Sequence, residues 1–299
     1  MLSHIEFLEV RRFRGKSNEL LAEIDKLSAL RVLVMQESRL WLTSRNSEHF
    51  TRLTGLQELT LTNCSIWPTL SVRGLTELRV LRARSCDLLF LPVGLGDMPA
   101  ASRLQVLDLY HNPELTNAPD VTHMADLREL NLAETRISAP PLGLGLPSGP
   151  SRLEILNLSQ SRLAVAPSLM GMTALLEVDL SRTHIRNFPS GVTSSIPKTR
   201  LDLAYTGITS IPETVELRTG FELSYALISD PASFRRLIAA RRQAGTDFWL
   251  GRATHDLAIE HWMHNIPQAQ RPAKVSLWGS LTNPTNIAMM AKIRDLIRT

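Results

Sequence analysis

Only two of the 299 residues are cysteine, Cys64 and Cys86. Two cysteines cannot staple a small scaffold, and a chain of this length buries enough apolar surface to need no staple. The count excludes a disulfide-built module and leaves the redox compartment open. Long apolar runs are also missing. No stretch approaches the roughly 20 residues that span a bilayer, and Glu6, Glu9, Arg11 and Arg12 interrupt what would have to be the apolar core of a signal peptide. No Gly-rich phosphate loop, HExxH pair or recognisable Ser/His/Asp setting occurs, so no catalytic residue, metal set or cofactor site is assigned. His255, His261 and His264 form the one histidine cluster. A metal would need more ligands in a defined geometry, which favours a surface or packing role.

Charge of one sign is absent from most of the chain. Residues 1–228 hold 23 basic and 24 acidic side chains, and the net charge of +4 comes from residues 229–299, with ten basic against five acidic. A repeat surface without basic excess argues against nucleic acid as a partner. Tyrosine is rare, with three copies, Tyr110, Tyr205 and Tyr225.

What is abundant is one pattern written ten times: an apolar residue, two free positions, apolar, free, apolar, two free, and a small residue. The clearest copies are Leu56/Leu59/Leu61/Cys64, Leu104/Leu107/Leu109/Asn112 and Leu127/Leu130/Leu132/Thr135; the others start at Ile5, Leu30, Leu78, Leu153, Leu175, Lys198 and Arg218, the last two lacking the opening apolar residue but keeping Leu201/Leu203 and Phe221/Leu223. Starts spaced 20 to 26 residues apart give the leucine-rich repeat period. The expected fold is therefore an α/β leucine-rich repeat solenoid over residues 1–228, with a parallel concave sheet and a helical C-terminal cap over 229–299. Each unit's alternating apolar residues point into a stack that a single unit could not bury. A proline recurs after the strand in seven consecutive units (Pro68, Pro92, Pro119, Pro140, Pro167, Pro189, Pro212). Its fixed φ and missing N–H suit a turn onto a convex side of extended or 3₁₀ segments. Both cysteines take the ninth position of the repeat, which reads as buried and structural.

At the C-terminal side, Ser229-Asp230-Pro231 reads as a helix start. Phe234, Leu237 and Ile238 would form its apolar face and Gly245 its stop, with further helices around 257–264 and 287–297. Trp249, Trp262 and Trp278 read as core of this cap. At the other end Met1 runs within a few residues into the strand at Ile5, which leaves the first repeat without a polar cap.

On such strands the residues between the core leucines face the concave surface. Counting from the first apolar position, column five carries Asp108, Asp179, Asp202 and Glu222, and column eight carries His111, Arg182, Tyr205 and Tyr225; Tyr110 lies in column seven. All three tyrosines thus fall on one predicted surface, and tyrosine is favoured where proteins bind. Arg82 and Arg84 add a basic patch beside Tyr110. The acids of the C-terminal half favour a partner with a basic region.

The segment FELSYALISDPASFRRLIAARRQAGTDFWLG from Phe221, followed by IEHWM and SLWGSL, resembles the junction between repeats and catalytic domain in bacterial effectors of the novel E3 ligase (NEL), IpaH-like class. The resemblance implies a secreted bacterial effector acting in the host cytoplasm, a monomer whose repeats select a host protein. A following helical domain would take ubiquitin from an E2 onto a cysteine in a Cys-x-Asp context. No cysteine follows Cys86, and Cys86-Asp87-Leu88 lacks that pattern, so the resemblance implies the substrate-recognition portion of such a ligase without its nucleophile. The alternative is a free-standing repeat protein, a scaffold or receptor-like binding module with no linked enzyme; neither reading expects a membrane partner.

Overall fold

In a computed structural model, which describes residues 4–41, 48–67, 69–96, 103–192, 199–217 and 220–244, the repeats coil into a solenoid around one parallel sheet. Its ten strands are β1 (Phe7–Arg11), β2 (Val32–Gln36), β4 (Glu58–Thr62), β6 (Val80–Arg84), β7 (Val106–Asp108), β8 (Glu129–Asn131), β9 (Ile155–Asn157), β10 (Glu177–Asp179), β11 (Arg200–Asp202) and β12 (Phe221–Glu222). They lie in chain order, each paired in parallel with the next. A two-stranded sheet of β3 (Arg39–Trp41) and β5 (Ser65–Trp67) sits outside it.

Columns four and six supply the core. Leu59 and Leu61, Leu81 and Ala83, Leu107 and Leu109, and Leu156 and Leu158 are buried in successive strands. Burying each large side chain removes apolar area worth roughly 1.5 to 3 kcal/mol. The stack is continuous because column pairs with column, as in Leu107↔Leu130 and Leu130↔Leu156.

The strands change length midway, and the sequence explains why. In β1, β2, β4 and β6, column five is Glu9, Val34, Thr60 and Arg82, and the ladder runs for five residue pairs. From β7 onward column five is Asp or Asn, then Glu222, and its side-chain oxygen accepts the N–H of column seven in its own repeat. The bonds are Asp108 to Tyr110 (3.0 Å), Asn131 to Ala133 (3.1 Å), Asn157 to Ser159 (3.0 Å), Asp179 to Ser181 (2.9 Å), Asp202 to Ala204 (3.0 Å) and Glu222 to Ser224 (2.8 Å). A side chain that takes a backbone donor locally ends the ladder there, and pairing shrinks to three residues.

Column nine completes the accounting on the acceptor side. The carbonyl of column six accepts a hydroxyl from Thr135 (2.8 Å), Ser161 (2.7 Å), Thr183 (2.7 Å) and Thr206 (2.7 Å), each within its own repeat. Asn112 sits at the changeover. Its Nδ2 donates to Leu109 and to Ala83 one repeat back, and its Oδ1 accepts from Cys86 and Leu88. Cys64 and Cys86 do the same work with sulfur: their thiols donate to the Met35 and Leu61 carbonyls of the preceding repeat, 3.4 and 3.5 Å away. Both cysteines are free and buried. The Cys64 sulfur and burial together push the Cys86 thiol well above its ordinary range. Buried carbonyls are thus satisfied throughout these repeats, as a solenoid core requires.

The convex side departs from the expectation at the start. Repeat one carries a true helix, α1 (Ser17–Ile24), and repeat two a single turn, α2 (Glu48–Thr51). No proline interrupts SNELLAEI, and Leu21 and Ile24 meet the core at helical spacing. Where a proline follows the strand, as at Pro119, Pro167 and Pro212, no helix forms around it.

After the last repeat comes helix α3 (Pro231–Ala244). Asp230 Oδ2 accepts the Ser233 N–H at 2.7 Å, an N-cap bond. The helix is held to the repeat before it. Ser233 Oγ accepts from Ile211 N (2.8 Å), Arg236 donates to the carbonyls of Pro212 (2.9 Å) and Val215, and Leu237 is buried. The side chains of Phe234 and Ile238, and with them Gly245, both later helices, the three tryptophans and the histidine cluster, lie outside the described residues.

Candidate functional site

The structure moves column eight. Rather than facing out from the strand, every residue of that column adopts a left-handed turn at the strand's end, from Arg12 (φ 55°) through His111 (55°), Arg182 (56°) and Tyr205 (57°) to Tyr225 (59°). L-residues adopt this conformation at a cost. Here the neighbouring repeat over-determines it, because the column-eight N–H donates to the column-seven carbonyl one repeat on, as in Arg182 to Ala204 (2.8 Å) and Tyr205 to Ser224 (2.8 Å). Column eight is therefore a rim beside the concave sheet, and its side chains leave the sheet at an angle fixed by the turn.

Two clusters form on that rim. At the C-terminal end Tyr205 stacks on Tyr225, ring centroids 4.4 Å apart and 15° from parallel, and the Arg182 guanidinium lies 4.4 Å from the Tyr205 centroid. Tyr205 is nonetheless 45% exposed. Further back, Glu134 gathers three donors: Tyr110 Oη (2.8 Å), His111 Nδ1 (2.6 Å) and Gln160 Nε2 (3.2 Å). The His111 and Tyr110 bonds hold the Glu134 carboxyl below the usual carboxylate range, and the Tyr110 hydroxyl is raised in return.

The predicted acidic surface is largely spent on the backbone. Asp108 is fully buried, clamped by Arg84 through Nε and Nη2 while its other oxygen takes the Tyr110 N–H. This corrects its placement as a surface group: the sequence shows column and charge, and the burial depends on a clamp by a partly exposed arginine of the preceding repeat. Asp179, Asp202 and Glu222 occupy column five as expected but serve as the strand-ending acceptors described above. Burial raises the Asp202 carboxyl above its ordinary value, and the Asp179 and Glu222 charges add to the effect. Arg82 reaches Glu58 on the preceding strand at 3.6 Å. Of the predicted residues, Arg182, Tyr205 and Tyr225 come together, as do Tyr110 and His111; Arg82 and Arg84 are engaged within the sheet.

Sequence reading missed a groove of about 530 Å³ lined by columns eight to ten of four successive repeats. His111, Glu134, Gln160 and Arg182 form one wall; Arg136, Arg162 and His184 form the other, with Thr135 and Ser161 between. The available signal was the run of basic residues at position ten. It also missed two exposed tryptophans, Trp41 and Trp67, paired across β3 and β5. Among the described residues no three His, Cys, Asp or Glu side chains converge as a metal set.

No protein-family model and no curated protein matches the chain. Among solved structures it is similar to the functional domain of InlJ from Listeria monocytogenes, at 16% identity over 79% of this chain and 57% of that one, TM-score 0.49. It is also similar to the internalin inlF of the same organism, at 16% over 79% and 65%, TM-score 0.48. A third is a leucine-rich repeat protein of Leptospira interrogans, at 18% over 76% and 74%, TM-score 0.38. The chain thus spans less than two thirds of the two internalins. The chain's own ten-fold pattern and its parallel ladder show the leucine-rich repeat architecture.

Proposed function

We propose that the chain is a protein-recognition module whose repeats select the substrate of a bacterial effector ubiquitin ligase of the novel E3 ligase class, secreted and acting in the host cytoplasm. Recognition rests on one observation above the rest: the Arg182, Tyr205 and Tyr225 stack is exposed, aromatic and held on a turn that neighbouring repeats fix. Rigid aromatic anchors give contact area at low entropic cost. Flat hydrogen-bonded strands behind them leave little to reorganise on binding. The ligase link rests on the sequence from Phe221 into 229–299. On this reading the host protein sits on the repeats, and ubiquitin-loaded E2 engages a cysteine-bearing helical domain encoded beyond Thr299.

The recognition half is tested by capturing partners from host lysate with the native chain and with Tyr205→Ala and Tyr225→Ala. A hot-spot loss of about 2 kcal/mol weakens binding roughly 30-fold. Capture unchanged in both variants would refute the site. The ligase half is tested by reading the gene past Thr299 and assaying its full product for a ubiquitin thioester. A frame that closes there leaves a free-standing repeat scaffold.

A further inference from the structure

We propose that the rim groove binds an extended acidic peptide segment of the partner protein, with Arg162 and Arg182 as its principal carboxylate contacts. This inference rests on the recognition reading above and names a chemistry opposite to the basic partner that the column-five acids suggest from sequence.

The argument begins with what each wall carries. Column ten places Arg136, Arg162 and His184 one repeat apart, all exposed. Adjacent strands lie about 4.8 Å apart, so three like-signed or titratable groups are stacked at close range along the solenoid axis. Column eight adds Arg182 and His111 across the groove. One acid, Glu134, lines the cavity, and its oxygens already receive Tyr110, His111 and Gln160. Arg136 is tied to Glu114 at 2.5 Å. Arg162 has no ion pair among the described residues. The Arg182 guanidinium carbon lies 4.4 Å from the Tyr205 ring centroid, and no ion pair takes its N–H groups among the described residues, which leaves them available to a carboxylate. The groove thus offers two arginines without ion pairs among the described residues, Arg162 and Arg182, and the exposed imidazole of His184 against a single satisfied carboxylate.

Its shape selects an extended chain. Four repeats span about 14 Å between the outer strands, and an extended peptide rises about 3.3 Å per residue, so four or five residues cross it. The Thr135 and Ser161 side chains that floor the groove donate their hydroxyls to the Leu132 and Leu158 carbonyls. Binding energy must therefore come from the charged walls, which makes acidic side chains the matching chemistry and makes affinity fall with salt.

Fluorescence anisotropy of the full chain with a fluorescein-labelled octapeptide of alternating Glu and Ser tests the assignment. The controls are the Gln/Ser and Lys/Ser octapeptides and an eight-nucleotide oligothymidylate. The acidic peptide should bind, weaken several-fold between 50 and 300 mM salt, and lose at least about tenfold in affinity, about 1.4 kcal/mol, in Arg162→Glu and Arg182→Glu. Arg162→Gln, an exposed neutral change, should give a smaller loss with an unaltered melting curve, which separates site from fold. Equal binding of the Gln/Ser peptide, acidic-peptide binding that survives Arg162→Glu, or no acidic-peptide binding at all would overturn the proposal. Tighter binding of the oligothymidylate would overturn it in favour of nucleic acid. Tyr225→Ala lies outside the groove and separates the two readings. Loss of partner capture in Tyr225→Ala with no acidic-peptide binding refutes the groove alone. Peptide binding with capture untouched by the tyrosine substitutions refutes the stack alone.

Discussion

Replacing Asp202 by Asn should stabilise the protein at neutral pH. Asp202 stands in register with Asp179 on one side and Glu222 on the other. Its Oδ1 accepts the Ala204 N–H, a bond that Asn131 and Asn157 make with the same atom in the same column. Asn therefore keeps the acceptor and removes the charge. Unit charges at the strand spacing of about 4.8 Å repel by about 1 kcal/mol in water and about 3.5 kcal/mol at an effective dielectric of 20. The column is partly open to solvent, so a gain of about 1 kcal/mol is expected, or roughly 2 to 4 °C in Tm for a chain near this size. Asp202→Ala removes the same charge and also the acceptor, leaving the Ala204 N–H unpaired at about 1 to 3 kcal/mol. The Asn and Ala variants differ by the bond alone.

The pH dependence follows from the sign of the shift. Burial first, then Asp179 and Glu222, raise the folded carboxyl above its unfolded value. Between those two values the native state binds more protons than the unfolded chain, so stability falls as pH rises through the window. The cost is complete at neutral pH and absent below the unfolded value of about 3.9. Thermal unfolding by circular dichroism at pH 7 and near pH 3 should show the Asn variant's advantage only at the higher pH. An Asn variant no more stable than the native chain at pH 7, or an Ala variant equal to Asn, would refute the reasoning.

Thr183→Val should lower stability by about 1 to 3 kcal/mol, because the buried Leu180 carbonyl loses its 2.7 Å hydroxyl donor; Thr183→Ser should restore most of it, and urea midpoints decide. Cutting the chain after residue 228 removes the bonds of Ser233 and Arg236 to Ile211 and Pro212, in the repeat that starts at Lys198, and the buried Leu237, and should depress the melting midpoint or cause aggregation. Equal stability would make the C-terminal segment an independent tether. Incubation of the chain with E1, E2, ATP and ubiquitin should yield no reducible adduct, since Cys64 and Cys86 are buried; an adduct on either would overturn their structural role.

The repeat arithmetic located every strand of the main sheet two or three residues after a repeat start, because column four and column six must enter the core whatever else varies. It did not locate where each strand stops. Alternation is the same for a three-residue and a five-residue strand; the difference lies in whether column five can capture a backbone N–H, a signal present in the Asp and Asn run from Asp108 onward. Column eight was misplaced for a related reason. A left-handed turn normally announces itself with Gly or Asn, whereas Arg182 and Tyr205 carry no such mark and are held there by bonds to the next repeat. Helix α1 was missed because a convex segment free of proline was read by the rule of the repeats that have one.

The same backbone accounting explains why the balanced charge of residues 1–228 misleads about the surface. Acids and arginines are nearly equal in number, yet the fold uses them differently. Asp108, Asp179, Asp202 and Glu222 each accept the N–H two residues further along the chain, so ending a strand consumes them. A guanidinium cannot accept a hydrogen bond, so no arginine can take that role. Arginine at columns eight and ten, as at Arg136, Arg162 and Arg182, instead projects from turns whose backbone bonds are already made. Four column-five carboxylates thereby turn toward the main chain, while other acids pair with arginines across repeats, as in Glu77 with Arg103 and Glu154 with Arg128. Arg162 and Arg182, which enter no such pair among the described residues, are what makes the groove beside β8 to β10 basic although the repeats are neutral in sum.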